Sequence, residues 1–261
     1  MQERSSRGLM LGSLFLLAVG MILLLNNFLF ISGFNVTTLW PLLLVVLGGI
    51  IVLRGDILSG GSGRTFGVTR GSVETAVLEI NSGAVDVKIR PLSQPGRLIA
   101  GQFAPNTRPQ LAVSENHAHI QMDRASAPLL ALSDWEIGVA HDLPWSIYVS
   151  THLGEVDFDL NGLILQNSLI ATGIGDIRVI CPTEAMEPLT IRSTLGRIQF
   201  ITPQGIPARI RVKEGRFFSV KADTERYEQV EDGVYMSRNF NSELPVVDVY
   251  ITGSFGDAYI A

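Results

Sequence analysis

The chain opens with two long runs of apolar residues. The first covers Gly8 to Ile31 and is interrupted by Asn26 and Asn27, and the second covers Leu39 to Leu53. A membrane-spanning helix needs about 20 largely apolar residues, and only a short connection separates these two runs. The pattern predicts a hairpin of two transmembrane helices over residues 1–53.

The pattern changes after the second run. Residues 54–72 are rich in Gly, Ser and Arg, a composition that favours a flexible linker. From Val73 onward, apolar and polar residues alternate, which is the period of strands with one buried face. Long helical patterns are absent, so residues 73–261 are predicted to form an all-β domain.

An internal repeat is the most specific signal in this β-rich region. Gly154, Gly175 and Gly196 are spaced by 21 residues, and the same residue classes recur around each of them. Apolar residues stand five and one before and two and four after each Gly, and Thr or Ser stands three before. These positions are predicted to face inward, and in the three copies they are Val149, Thr151, Leu153, Val156 and Phe158; Ile170, Thr172, Ile174, Ile177 and Val179; and Ile191, Ser193, Leu195, Ile198 and Phe200.

Further copies are weaker. One surrounds Gly83, another surrounds Gly256, and Gly215 is a candidate for a degenerate copy. We expect the first and last of these regions, residues 73–89 and 246–260, to present free strand edges.

A fixed period near 20 residues, made of two short strands, predicts stacked rungs that share one apolar core. The fold expected is therefore a β-solenoid-like repeat domain, in which the Thr/Ser column hydrogen-bonds from rung to rung. Ile177 should point inward between Val156 and Ile198, and Asp157 should pair with Arg178 on the outer face. The alternative is an antiparallel β-sandwich built from similar hairpins.

Charge narrows the classes of function and sets the topology. The net charge is -5 and lysine occurs only three times, so a basic stripe for nucleic acid is absent. Arginines flank the hairpin at positions 4, 7, 54, 64 and 70, whereas its connecting loop has no Lys or Arg. The positive-inside rule then predicts a two-span membrane protein with both termini and the β domain in the cytoplasm. A cleaved signal peptide is the alternative, but no A-x-A site follows the first run.

Two motifs suggest metal binding. Asp157, Asp159, Asn161 and Gly162 read D-x-D-x-N-G, the opening of a calcium loop, but the twelfth position is Ser168 rather than Glu. His117 and His119 place two imidazoles on one strand face, and the other histidines, His141 and His152, lie in different segments. We interpret both motifs as solvated strand surface and predict no metal site.

Three further features are interpreted as structural. Cys181 is the only cysteine, which excludes an internal disulfide, and it is expected to point inward. Gly173-Ile174-Gly175 lacks the following helix of a phosphate-binding loop. Trp135 and Trp145 are expected in a cap or core patch. No catalytic residue, cofactor-binding residue or cofactor is predicted.

The N-terminal hairpin resembles the transmembrane region of the LiaI/LiaF family. The residues that carry the resemblance are Gly8-Leu-Met-Leu-Gly12, Gly20, Asn26-Asn27-Phe28, Leu39-Trp40-Pro41 and Gly48-Gly49. The following domain looks like the toastrack-type β-repeat domain found C-terminal to such anchors. The resemblance implies a bacterial cell-envelope stress protein, and relatives of this kind can restrain a partner membrane histidine kinase.

The function expected is that of a non-enzymatic, membrane-anchored sensor or regulator of cell-envelope stress signalling. It would act through protein–protein contacts, and the implied partner is a membrane histidine kinase or a related envelope-stress protein. The alternative is a membrane-associated structural scaffold that forms homo-oligomers through its β domain.

Overall fold

The computed structural model describes residues 64–103, 109–124, 134–238, 241 and 243–261. The predicted hairpin, residues 1–53, lies outside them, and within them no helix is long and apolar enough to cross a membrane. The all-β prediction is confirmed for the described residues. Their strands are β1 Arg64–Thr69, β2 Thr75–Ala84, β3 Asp86–Pro91, β4 Arg97–Phe103, β5 Gln110–Ser114, β6 His117–Arg124, β7 Asp134–Val139, β8 Pro144–Leu153, β9 Val156–Asp159, β10 Ile164–Ile174, β11 Ile177–Ile180, β12 Glu184–Ala185, β13 Leu189–Leu195, β14 Ile198–Ile201, β15 Ala208–Lys213, β16 Phe218–Ala222, β17 Tyr227–Glu231, β18 Val234–Ser237 and β19 Val247–Ile260.

Each repeat forms one rung, in which a longer strand is followed by a corner and a shorter strand. The longer strands β2, β8, β10, β13, β19 and β15 pair in parallel, in that spatial order, to form one ladder. The shorter strands β3, β9, β11 and β14, the end of β19, and β16 pair in parallel to form the other. An antiparallel sandwich would require antiparallel pairing of these strands, so the pairing is that of stacked rungs.

The predicted register of the repeat is confirmed. Ile177 pairs with Val156 on one side and with Ile198 on the other, and all three side chains are buried. The copy around Gly256 also has the predicted alignment, because Ile191 pairs with Ile251 and Ile198 with Ala258.

The prediction for the copy around Gly83 is wrong by two residues. Ala84 pairs with Leu153, and Val87 pairs with Val156, so Val85 rather than Gly83 occupies the corner position. The sequence alignment of this copy was placed on Gly83 because the other copies have a glycine at the corner. The apolar residues on both sides of Gly83 alternate, however, so they fit a corner at position 83 or at position 85 equally well.

The predicted strand edges are also wrong. β2 pairs with β6 and β8, and β3 pairs with β7 and β9, so residues 73–89 lie inside the stack. β19 inserts between the β13–β14 rung and the β15–β16 rung, which covers both of its sides. Among the described strands, the outermost positions of the ladders belong instead to β1, β5, β16 and β17.

One part of the predicted linker is an ordered strand. β1 pairs antiparallel with β4, and Phe66 and Val68 pack against the hydrophobic core. The ring of Phe66 meets that of Phe103 edge-on at 5.8 Å. These alternating apolar residues give the segment a partly buried face, which the Gly-, Ser- and Arg-rich composition of residues 54–72 did not reveal.

Candidate interaction surface

Glycines build the corner that joins the two ladders. Gly154, Gly175, Gly196 and Gly256 have φ values of 141°, 145°, 152° and 123°. A Cβ atom at Gly175 would collide with the carbonyl oxygen of Gly154, and the same relation repeats along the column. In these four rungs the corner therefore needs both a backbone conformation and a close approach that only glycine permits, whereas Val85 and Phe218 hold the same position in the two end rungs.

An apolar row runs along the outside of this corner. It consists of the exposed residue that precedes the corner in successive rungs, and its members in spatial order are Leu153, Ile174, Leu195, Phe255 and Phe217. Ala84 holds the same position in the first rung but is only 7% exposed, so the exposed row begins at Leu153. Leu153 is 36% exposed, Ile174 50%, Leu195 49%, Phe255 48% and Phe217 60%. The rings of Phe217 and Phe255 stack with centroids 5.2 Å apart and planes inclined by 13°.

The prediction that the residues of the apolar row face inward is wrong. In the first copy the inward residues Thr151 and Val156 are five positions apart, an odd number that strict alternation cannot connect. His152 and Leu153 are consequently both exposed, and the alternation resumes only after Gly154. This odd spacing between two inward columns is the sequence signal that would have revealed the outward row.

Charges differ between the two ends of the apolar row. Beside its small end, the residues that follow the corner are Asp86, Glu155 and Asp176. Beside its large end the residues that follow the corner are Arg197 and Asp257, and the Arg216 guanidinium sits 5.7 Å from the centre of the Phe217 ring. Asp86 and Asp176 each accept a backbone hydrogen bond from the next rung, at 2.7 Å in both cases, so their carboxylates are held beside the row.

A polar groove of about 750 Å³ borders the apolar row, on the side of the residues that precede the row in each rung. Its floor includes the predicted Thr/Ser column, in which Thr151 Oγ1 donates to Thr172 Oγ1 at 3.1 Å. The rung-to-rung hydrogen bond is therefore confirmed for this pair. Ser82 and Ser193 are buried in the same column, and their hydroxyls have no partner among the described residues.

The aspartates of the calcium-like motif accept hydrogen bonds from other groups of the chain. Asp157 accepts hydrogen bonds from Arg90 and, as predicted, from Arg178 at 3.0 Å. Partial burial acts to raise the pKa of Asp157, but the two arginines outweigh this and lower it below its ordinary value. Asp159 accepts from the backbone N–H of Asn161 at 3.1 Å.

The histidines do not converge. His117 contacts Thr75, His119 lies 3.2 Å from Glu79, and His152 lies 3.2 Å from the Ser82 carbonyl oxygen. His141 is in the exposed turn before β8. In the part of the chain that the structure describes, no three His, Cys, Asp or Glu residues are placed to hold a metal ion.

The remaining candidates belong to the core. Cys181 is fully buried, as predicted, and burial raises the pKa of its thiol well above the usual range, so the nucleophilic thiolate is disfavoured. Trp135 and Trp145 are also fully buried, and Trp145 donates to the Ala140 carbonyl oxygen at 2.7 Å. Ile174, between Gly173 and Gly175, belongs to the apolar row and not to a phosphate-binding loop.

Residues 59–200, more than half of the chain, match the family described as the N-terminal domain of toast_rack, DUF2154. The chain belongs to this toast_rack family. The toastrack-type β-repeat domain expected from the sequence is thereby confirmed.

A solved structure shows the same type of fold. A candidate cell adhesion protein from Clostridium sporogenes is 16% identical with a TM-score of 0.65, and the match covers 76% of this chain and 98% of that chain. A candidate adhesin from Parabacteroides merdae is 7% identical with a TM-score of 0.22, over 77% of this chain and 97% of that chain, which is too low to support an argument. No curated protein matches the chain.

Proposed function

We propose that this toast_rack protein is a non-enzymatic, membrane-anchored regulator of cell-envelope stress signalling that acts through protein contacts. Residues 1–53 would anchor it as a two-helix hairpin, and the β domain would be its cytoplasmic interaction module. The LiaI/LiaF-like sequence of the hairpin motivates the signalling role, with a membrane histidine kinase or a related envelope-stress protein as partner.

The observation that supports a binding role is the exposed apolar row. Soluble surfaces carry scattered apolar residues, but contiguous exposed patches mark sites of interaction. Here aliphatic or aromatic side chains occupy the same outward position on successive rungs, with Ile174 and Leu195 each about half exposed. Leu153 and Phe255 continue the row on either side of them.

The charged groups of the described residues also support a binding role rather than an enzymatic one. Asp157 is neutralised by two arginines, and Asp248 receives two hydrogen bonds from Arg209, at 2.5 and 2.6 Å. Such pairs across neighbouring strands stabilise the outer face of the stack. They form no arrangement of a nucleophile, a base and an oxyanion donor, which a hydrolase would need.

The alternative is a membrane-associated scaffold that assembles through its β domain. The outermost strand β16 favours it, because its one ladder partner among the described strands is β19. An unpaired strand edge can extend a sheet by pairing with another chain.

A signalling measurement tests the proposal. Leu195→Glu would place a charge in the apolar row, whereas Gln199→Glu would place one on the outer face of β14, away from the row. In cells with equal levels of each variant, we expect Leu195→Glu to change the response of an envelope-stress reporter to a cell-wall antibiotic at least several-fold. Gln199→Glu should respond like the unchanged protein, and equal responses of both variants would contradict the proposal.

A further inference from the structure

We propose that the apolar row is a self-association surface on which a second copy of this chain docks in the antiparallel direction. This inference rests on the proposed function in taking the row to be an interaction surface and the chain to be anchored in a membrane. The partner is identified from three properties of the row: its taper, its charge and its length.

The taper makes the row complementary to its own reverse. Side-chain size increases along the row from the aliphatic Leu153, Ile174 and Leu195 to Phe255 and Phe217 at the other end, and beyond Leu153 the buried Ala84 leaves no protruding side chain. A two-fold axis passing between Ile174 and Leu195 would pair Leu153 with Phe255 and Ile174 with Leu195. Phe217 of each copy would then lie over the position of the buried Ala84 in the other, where no side chain protrudes.

The charges follow the same two-fold relation. The carboxylates of Glu155 and Asp176 flank the small end, whereas the large end carries Arg197 and Arg216. An antiparallel partner would bring the acidic end of each copy against the basic end of the other. A parallel arrangement about an axis along the row would instead place like ends together.

One carboxylate at the large end is already neutralised within the chain. Asp257 accepts a hydrogen bond from Ser219 at 2.5 Å and lies 3.5 Å from the Lys221 ammonium. The basic character of that end therefore persists despite Asp257, and the row has a charge gradient along its length.

The length of the row predicts a weak dimer. Five exposed residues on neighbouring rungs at about 4.8 Å per strand give a row about 19 Å long, and one row of side chains buries much less than the roughly 800 Å² per partner of a standard interface. Two-fold contacts of this kind are isologous, so each favourable pair occurs twice. Confinement of both copies to one membrane would raise their effective concentration and populate the contact.

Disulfide crosslinking between two tagged full-length copies, in isolated native membranes to which copper phenanthroline is added as oxidant, tests the arrangement. When Leu153→Cys is co-expressed with Phe255→Cys, the antiparallel contact predicts a mixed disulfide at a level at least several-fold above either variant alone. The residues Leu153 and Phe255 are separated by about 14 Å along one row, by three strand spacings, so each single variant should crosslink poorly with itself. Cys181 is buried, so the unchanged chain sets the background.

A second substitution controls for accidental collision. Adding Ile174→Glu to both tagged copies should reduce the mixed disulfide to background without loss of folding, because Ile174 is half exposed. Strong crosslinking of Leu153→Cys with itself would overturn the antiparallel arrangement. Background crosslinking in every combination would overturn self-association, while the reporter response to Leu195→Glu would still decide the proposed function.

Discussion

Phe255 and Phe217 stack with their ring centroids 5.2 Å apart. Phe255 lies in β19, whereas Phe217 lies between β15 and β16, which come earlier in the sequence. The contact exists because β19 returns into the stack and pairs with the β15–β16 rung on one side and the β13–β14 rung on the other. The C-terminal strand thereby completes both the core and the large end of the apolar row.

Ile177→Asp should be strongly destabilising. The side chain is 1% exposed between Val156 and Ile198, so the substitution would bury an unpaired carboxylate. We expect a loss of about 3 kcal/mol or more in the free energy of unfolding, measured by denaturant titration. Ile177→Val, as control, should cost about 1 kcal/mol, and Arg178→Ala on the outer face should cost less than about 1 kcal/mol. Equal midpoints for Ile177→Asp and Arg178→Ala would contradict the register.

Gly175→Ala tests the glycine corner. The new Cβ would meet the Gly154 carbonyl oxygen at a φ of 145°, so the ladder must open locally. We expect a loss of about 3 kcal/mol or more in the free energy of unfolding. Gly162→Ala is the matched control, because Gly162 has a φ of 82° but a Cβ added there would meet nothing within 4 Å. It should cost about 1–2 kcal/mol, and a Gly175→Ala variant no less stable than this control would contradict the account of the corner.

The Asp157 pair should make stability depend on acid pH. Arg90 and Arg178 lower the pKa of Asp157 below its ordinary value of 3.8. The pair therefore contributes stability above that value and loses its contribution as the pH falls through the lowered pKa. Asp157→Asn should be less stable than the unchanged protein at neutral pH, and chemical denaturation at a series of pH values should show this difference shrinking below about pH 4. A difference that stays constant into the acid range would refute the pairing.

Tyr227 should make stability depend on alkaline pH. Its buried hydroxyl donates to Thr202 Oγ1 at 2.5 Å, and burial raises the pKa of Tyr227 from 10.0 to about 12. A raised pKa contributes stability below the unfolded value and loses it as the pH rises through the folded one. The stability difference between the unchanged protein and Tyr227→Phe should therefore decrease between about pH 10 and pH 12. A constant difference across this interval, measured by the same denaturant method, would disprove the effect.

Membrane topology can be checked independently of the β domain. Because the flanking arginines lie outside the predicted hairpin on one side, we expect a reporter fused after Ala261 to remain in the cytosol. A green fluorescent protein fusion should be fluorescent, and an alkaline phosphatase fusion should be inactive. The opposite pair of results would place the β domain across the membrane.

The repeat made much of the fold predictable. The 21-residue spacing of Gly154, Gly175 and Gly196 identified the rungs, their register and the buried position of Ile177, because each rung repeats the same local geometry. The position of β19 between two earlier rungs was not predictable, since it depends on pairing between distant segments. β1 was missed because Gly, Ser and Arg dominate residues 54–72 as a whole and outweigh its two apolar residues, Phe66 and Val68, in composition.

The sequence predicted which residues recur in the apolar row, but not that their side chains face outward. Leu153, Ile174 and Leu195 were found as a recurring apolar column, and period-two alternation assigned them inward. The corner adds one residue between inward positions, and this turns the column to the surface. Self-complementarity of the row depends on Phe255 and Phe217 lying at one end, which follows from the β19 insertion and has no local signal.

Photocrosslinking from the apolar row tests the central claim most directly. A photoreactive amino acid at position 174 would project from the row, and one at position 88 would project from the exposed outer face of β3, away from it. In native membranes we predict discrete protein adducts from position 174, either with a second copy or with another membrane protein, and few or none from position 88. Equal adduct patterns from both positions, or no adduct from position 174, would contradict the claim that the row is the binding surface of this protein.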